Sequence, residues 1–193
     1  MKALNLYAGL GGNRELWPEE VEVTAIELDR KIAKRYKERF PEDEVIITDA
    51  HKFLLECYSE YNFIWSSPPC QSHSGTNNFL HAQGIKRFPD LKLYEEVIFL
   101  KRWCRERWVV ENVRPYYEPL IYPQFAGRHV FWANFLITPL KVKCDIGTMN
   151  REASKLAQSK AKRDQLERNC VNPRVGLHVF NCAFKVEQKT LID

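Results

Sequence analysis

A cysteine held by prolines and a glutamate closing an apolar run are the residues of this sequence best placed for chemistry. Cys70 lies in Ser66-Ser67-Pro68-Pro69-Cys70-Gln71-Ser72-His73-Ser74, directly after the β-rich run Tyr61–Ser66. Two prolines fix the local backbone and so fix where the sulfur sits. A free thiol is only a few per cent thiolate near neutral pH, so such a nucleophile needs a helix dipole, a cation or its substrate to activate it. Glu111 closes the run Trp108-Val109-Val110-Glu111 and is followed by Asn112-Val113. On adjacent strands the two would share one sheet edge, which suits attack on a ring that must gain a proton at another atom. Cys104 and Cys182 stand in apolar periodic segments and read as buried filler.

A second cluster precedes them. Tyr7-Ala8-Gly9-Leu10-Gly11-Gly12 follows the first apolar run, where glycines allow a tight turn and a close approach of backbone amides to a ligand. Glu27 ends the second run, at a distance suited to a carboxylate that accepts from ribose hydroxyls. Asp49, after the third, is placed to accept from an adenine amino group. The competing roles are a purely structural turn, and helix N-caps at Asp29 and Asp49. All three positions lie on the carboxyl edge of a parallel sheet, and a nucleoside-containing cofactor is expected there.

The elements that must hold these residues alternate. Short runs Ala3–Tyr7, Val21–Glu27, Glu44–Thr48, Tyr61–Ser66, Trp108–Glu111 and Val130–Phe135 read as strands. Asp29–Phe40 and Leu93–Cys104 have helical spacing, and Ala50–Glu56 could follow Asp49 as a third helix. The fold class predicted is α/β, a Rossmann-like open and mostly parallel sheet with helices on both faces. Residues 1–135 form the catalytic and cofactor-binding core, 136–168 a short basic insertion, and 169–193 a segment that returns to the core.

At 193 residues, with 45% apolar and 28% charged, the chain has the composition of one globular domain. Its net charge of +4 permits a polyanionic partner without demonstrating one. Residues 141–168 alone hold eight Lys or Arg against four acids, and Asn150 could cap a helix over Arg151–Glu167. Arg151, Lys155 and Lys162 would then share one face, as a phosphate-binding stripe or as an ordinary solvated surface. No apolar run reaches the roughly eighteen residues of a membrane span. The six cysteines have no pairing pattern, so a reduced intracellular protein with no metal site is expected.

In this order the motifs resemble the cytosine-C5 methyltransferases that use S-adenosylmethionine. Tyr7–Gly12 is similar to the family's F-x-G-x-G-G, Pro69-Cys70-Gln71 to P-C-Q, and Glu111-Asn112-Val113 to E-N-V. Asn169-Cys170-Val171-Asn172-Pro173 resembles the G-N-x-V-x-P motif that closes over the methionine part of the cofactor. The resemblance implies a class I methyltransferase fold and S-adenosylmethionine as cofactor, with S-adenosylhomocysteine as product. Tyr7, Gly9, Gly11, Gly12, Glu27, Asp49, Pro69, Asn169 and Val171 would form the cofactor site. It further implies that a cytosine flipped out of DNA meets Cys70, whose sulfur adds to C6 while Glu111 holds and protonates N3. Asn112 would hold backbone around the Pro-Cys turn, and no metal is required.

Gln71, Ser74, Lys86 and Arg87, with Lys155 and Lys162, would face the nucleic acid. Gly75–Arg87 is expected to be the mobile loop that closes over it, or else a plain surface loop. His73 is either a base contact or a solvent-facing histidine. Gln124–Trp132 resembles the family's Q-x-R-x-R segment, but the arginine places fall on Gly127 and His129, with Arg128 between them. Arg128 or His129 would hold the cytosine O2 and the nearby phosphate. Only 33 residues, Leu136–Arg168, stand where a target-recognition domain is usual, fewer than the roughly 40 that fold unaided. A second chain or a homodimer is therefore expected to supply sequence recognition, in a cytoplasmic protein of bacterial or phage origin. The other readings are an RNA cytosine-C5 methyltransferase, a non-catalytic DNA-binding or regulatory subunit of a split methyltransferase, and a small-molecule Rossmann enzyme.

Overall fold

The computed structural model describes residues 1–140 and 170–184. Seven strands form one sheet: β1 (Lys2–Leu6), β2 (Glu22–Ile26), β3 (Glu44–Ile46), β4 (Phe63–Ser66), β5 (Arg107–Val113), β6 (Gln124–Ala126) and β7 (His129–Ala133). Their spatial order is β3-β2-β1-β4-β5-β7-β6. Strands β1 to β5 pair in parallel, whereas β7 runs antiparallel to both β5 and β6. The helices are α1 (Arg30–Arg39), α2 (Ala50–Cys57), α3 (Asn77–Ala82), α4 (Lys92–Trp103) and α5 (Pro173–Phe184). The fold is a Rossmann-like α/β architecture, an open and mostly parallel sheet with helices on both faces.

Alternation along the strands explains the layers, because successive side chains leave opposite faces of a sheet. Ala3, Phe63, Trp65, Val109 and Phe131 point to one face, where Val175, Val179 and Phe180 of α5 cover them. Leu4, Leu6, Ile64, Val110 and Val130 point to the other, against Leu54 of α2 and Leu93, Val97 and Leu100 of α4. Strands buried on both faces read as continuous apolar runs, and these do. Trp17 stacks on Phe180 at 5.1 Å between ring centroids, tying the segment after the glycine turn to α5.

Two acids start helices shortly after strands end. Asp29 caps α1 by accepting from the amides of Lys31 and Ile32, and Asp49 caps α2 by accepting from Lys52. Strand β3 stops at Ile46, so Asp49 belongs to the turn into α2 rather than to the strand end. The buried pair Arg14–Asp43, at 3.1 Å, fastens the chain after the glycine turn to the loop before β3. Strand β6 is absent from the sequence-based expectation, since Gln124-Phe125-Ala126 lacks the β-branched residues that mark the equally short β3.

Residues 136–140, expected within the basic insertion, begin on the core: Ile137 is buried and Leu140 packs beside it. Helix α5 returns to the sheet as expected and comes very close to the glycine turn. A Cβ on Gly176 would lie 2.2 Å from the carbonyl oxygen of Asn13 and 2.7 Å from its Cα. Alanine in a helix interior gains about 1 kcal/mol over glycine, but overpacking against fixed backbone costs about 1–3 kcal/mol. Gly176→Ala should therefore be net destabilising, by up to about 2 kcal/mol, read from urea unfolding. An unchanged or raised midpoint would show that the contact yields.

Candidate active site

The topology reverses direction between β1 and β4, and open α/β sheets bind ligands at the carboxyl ends of the strands beside such a switch point. A cavity of about 880 Å³ opens there. That volume is within the range of small-molecule and cofactor sites. Tyr7, Gly9, Gly12, Glu27, Asp49, Pro69, Cys70, Gln71, Ser74, Glu111, Arg128, His129 and Val171 all line it. Residues drawn from seven separate stretches of sequence thus face one space.

At the glycine turn, Gly9 has φ +56° and donates its amide to Oε2 of Glu27 at 3.0 Å. Oε1 of the same carboxylate accepts from the Asp29 amide at 3.0 Å. Two backbone donors therefore hold Glu27 rigidly at the cavity wall. A carboxylate has about four acceptor sites, so it can still take ligand hydroxyls. At Gly12 a Cβ would sit 2.5 Å from the carbonyl oxygen of Val171, which brings Cys170 and Val171 against the turn. Gly11 is a correction to its expected place. It does not line the cavity; its open side faces the rings of Phe40 and Tyr36, so it serves the packing of α1.

The reactive corner is held by its neighbours. Asn112 donates its side-chain amide to the carbonyl of Pro68 at 2.9 Å, and Trp65 Nε1 donates to Ser67 Oγ at 2.8 Å. Cys70 is half-buried. Burial first, and the Glu111 carboxylate second, push its thiol above the ordinary range, while Arg128 pulls the other way. The resting sulfur is thus a thiol. Glu111 and His129 are both buried. Their strands are antiparallel with Glu111 opposite Phe131, which puts His129 diagonally beside Glu111 on the same face. His129 Nδ1 bonds to Glu111 Oε1, and Arg128 Nε donates to His129 Nε2 at 3.0 Å.

Other expected residues lie differently. Lys86 and Arg87 are exposed and do not line the cavity; Arg87 donates to the carbonyl of Gln71 at 3.3 Å. His73 is neither solvent-facing nor loosely placed. It is buried, it bonds through Nδ1 to Tyr117 Oη at 2.6 Å, and burial lowers its pKa. The segment Gly75–Arg87, expected to be a loop, contains α3 and is tied to the body where Tyr116 Oη donates to the Arg87 carbonyl. Asn169, Lys155 and Lys162 lie outside the described residues.

Sequence reasoning missed a buried carboxylate behind the glycine turn. Glu96 of α4 is fully buried and accepts from Tyr7 Oη at 2.6 Å and Ser66 Oγ at 2.6 Å, with His51 Nδ1 at 3.1 Å. The hydrogen bond from Glu96 raises the pKa of His51, and burial with the Glu96 charge raises that of Tyr7. A signal was present: Glu96 stands on the apolar stripe Leu93, Val97, Leu100 of an amphipathic helix. An acid there has to find donors inside the protein.

Fold and site together define a methyltransferase of the class I type. A family model for C-5 cytosine-specific DNA methylase matches residues 1–102, just over half of the chain, and the protein belongs to that family. The matched span includes the glycine turn, Glu27, Asp49 and Cys70; Glu111, Arg128 and His129 lie beyond it. No curated protein matches the chain. Among solved structures, Escherichia coli yhhF is similar at 18% identity over 68% of this chain and 73% of its own, with a TM-score of 0.43. A SAM-dependent methyltransferase from Agrobacterium tumefaciens has 19% identity over 58% and 38%, with a TM-score of 0.41. The Entamoeba histolytica methyltransferase EhMeth has 20% identity over 58% and 38%, with a TM-score of 0.37.

The electrostatics of the corner are open to a direct check. Glu111→Gln removes a negative charge that raises the Cys70 pKa, so at a given pH more of the thiol is ionised. Iodoacetamide should label Cys70 faster in E111Q than in the wild type, with its pH–rate curve moved to lower pH, as read by peptide mass spectrometry. A curve that stays in place, or moves up, would remove Glu111 from the environment of the sulfur.

Proposed function

We propose that this protein methylates C5 of cytosine in DNA, with S-adenosylmethionine as methyl donor and Cys70 as covalent nucleophile. The observation that carries the reading is that Cys70 and Glu111 open onto the same cavity as Glu27 and Asp49. A carboxylate held by two backbone amides fits the hydroxyls of a ribose, and a second strand-edge acid fits an amino-bearing base. When bound, S-adenosylmethionine supplies an electrophilic methyl group and leaves as S-adenosylhomocysteine.

The side chains of the chain itself then account for the rest. A cytosine must leave its stack to reach the cavity, because its ring atoms are inaccessible within a duplex. Cys70 gives up its proton to solvent in the open cavity and its sulfur bonds to C6, breaking the C5–C6 double bond. Glu111 donates a proton to N3, and the displaced electron pair becomes available at C5. This coupling answers the raised thiol pKa. Negative charge on Glu111 disfavours the thiolate, so a protonated Glu111, ready to donate, removes that penalty as attack begins. Once C5 is methylated, loss of its proton to solvent restores the double bond and expels the Cys70 sulfur, which takes a proton back from solvent, while N3 returns its proton to Glu111. Pro68 and Pro69, with the Asn112 bond to the Pro68 carbonyl, hold the sulfur so that little orientation is left to lose on attack.

On this reading base readout falls to residues of the basic insertion or to another chain, because the 33 residues Leu136–Arg168 are too few for a separate recognition domain at that place.

DNA containing 5-fluorocytosine tests the reaction, because fluorine at C5 blocks the final proton loss. With cofactor present, the wild type should form a denaturation-resistant adduct, and Cys70→Ser should form none. An adduct on RNA alone would replace the substrate, and none on either nucleic acid would remove the catalytic reading. On unmodified DNA, Glu111→Gln should lower the methylation rate about 100-fold or more while cofactor affinity stays within a few-fold. Equal losses in both would make Glu111 a structural residue.

A further inference from the structure

The sequence alone left Arg128 and His129 as equal candidates for contact with the target base. The hydrogen bonds separate them. An arginine Nε–H can only donate, so the His129 Nε2 that meets it at 3.0 Å is an acceptor. A neutral imidazole carries a single ring proton, which is then on Nδ1. That N–H donates to Glu111 Oε1, and both ring nitrogens are engaged within the protein. Neither is left for a pyrimidine. Oε1 of Glu111 is likewise taken, and Oε2 has no hydrogen bond among the described residues.

We infer that His129 is a positioning residue that acts through Glu111: its Nδ1–H engages Oε1, leaving Oε2 to serve the substrate, and Arg128 sets the tautomer that makes this possible. The inference rests on the methyl-transfer reading above. Unrestrained, a carboxyl group can present either oxygen, and a proton on the oxygen that faces away from N3 is useless. With Oε1 held as an acceptor, the transferable proton belongs on Oε2. When that proton moves to N3, a carboxylate is created in a buried place, where it is costly without a donor. His129 Nδ1–H is that donor, already aligned, and the Arg128 guanidinium polarises it from behind. The proton lost by Oε2 is the one gained by N3, and His129 keeps its own throughout. The benefit arises only as charge develops, so it belongs to kcat rather than to KM.

The local sequence makes the arrangement possible. Gly127 takes φ +63° at the β6–β7 turn, which it shares with Arg128, and His129 follows directly as the first residue of β7. Only a side chain with one donor and one acceptor can stand between an arginine and a carboxyl oxygen in this way. Lysine and arginine have no acceptor.

The experiment compares the full-length wild type with His129→Ala, His129→Asn, Glu111→Gln and the H129A/E111Q double variant in steady-state DNA methylation. H129A should lose about 100-fold in kcat, with both KM values within about threefold. The asparagine amide can supply an N–H near the Nδ1 position, so H129N should recover at least about tenfold of that loss. In the E111Q background H129A should cost almost nothing more, because the residue it acts through is already disabled. The inference is overturned by an H129A that retains full kcat, by KM values that rise in step as kcat falls, or by a full additional loss in E111Q. In each of those cases a working wild type leaves the methyl-transfer reading intact. A wild type that methylates no cytosine overturns both together. Should H129A fail to fold, the imidazole 15N shifts of His129 in the wild type, assigned by comparison with H129N, decide the matter. The Nδ1–H tautomer upholds the inference and the Nε2–H tautomer overturns it.

Discussion

Strand β4 is hydrogen-bonded on both sides, to β1 and to β5, with all three running in the same direction. Its register pairs Ser66 with Leu6 on one side and with Val110 on the other. The glycine turn, the Pro-Cys corner and Glu111 therefore come level at one edge. Parallel strands need long crossovers, so the loops that leave this edge come from distant parts of the sequence and meet only here. A one-residue slip of β4 would turn Trp65 and Ile64 to the wrong faces, and two apolar layers prevent it. The precision of the site is thus inherited from the packing of the sheet.

Within that frame, the protein keeps its ionisable groups constrained in a place that penalises charge. The Cys70 thiol is held up by burial and by Glu111. Glu111 is in turn coupled to His129 and through it to Arg128. Behind the glycine turn, Glu96 has no lysine or arginine bonded to it among the described residues and is compensated instead by Tyr7, Ser66 and His51. Tyr7 has φ +55°, a conformation that a bulky residue adopts only when its surroundings over-determine it, and its hydroxyl bond to Glu96 is one such determinant. Both networks reach from the cavity wall into the core, so the cavity is pre-shaped by buried polar contacts as well as by the sheet.

Much of this was visible in the residue order. The apolar runs from Ala3 to Phe135 marked six of the seven strands, and the spacing of Ile32, Ala33 and Tyr36 marked α1, because burial on two faces imposes strong local patterns. Two elements escaped. Strand β6 lacks the β-branched residues that mark the equally short β3, and α3 has six residues and buries only Asn77, so neither leaves a pattern to read. The solvent-facing alternative for His73 fails for a related reason, and the buried residue lines the cavity. What buries it is Tyr117, 44 positions away, and a local reading of Ser-His-Ser cannot foresee that partner. Gly11 was assigned to the cofactor by motif, yet the rings of Phe40 and Tyr36 claim it.

Residue types, by themselves, determined which chemistry is available: one cysteine stiffened by prolines, one glutamate after an apolar run, and acids following glycines on a parallel edge. Those features are local, and local sterics and hydrophobic periodicity write them directly into the chain. Partnership was decided only by the tertiary structure. That His129 bonds to Glu111 rather than standing free, and that Glu96 is enclosed by three donors, depends on which strands lie beside which and on the diagonal offset of an antiparallel pair. Hydrogen bonds require donors and acceptors within about 3 Å, and only the folded sheet brings residues so far apart in sequence to that distance.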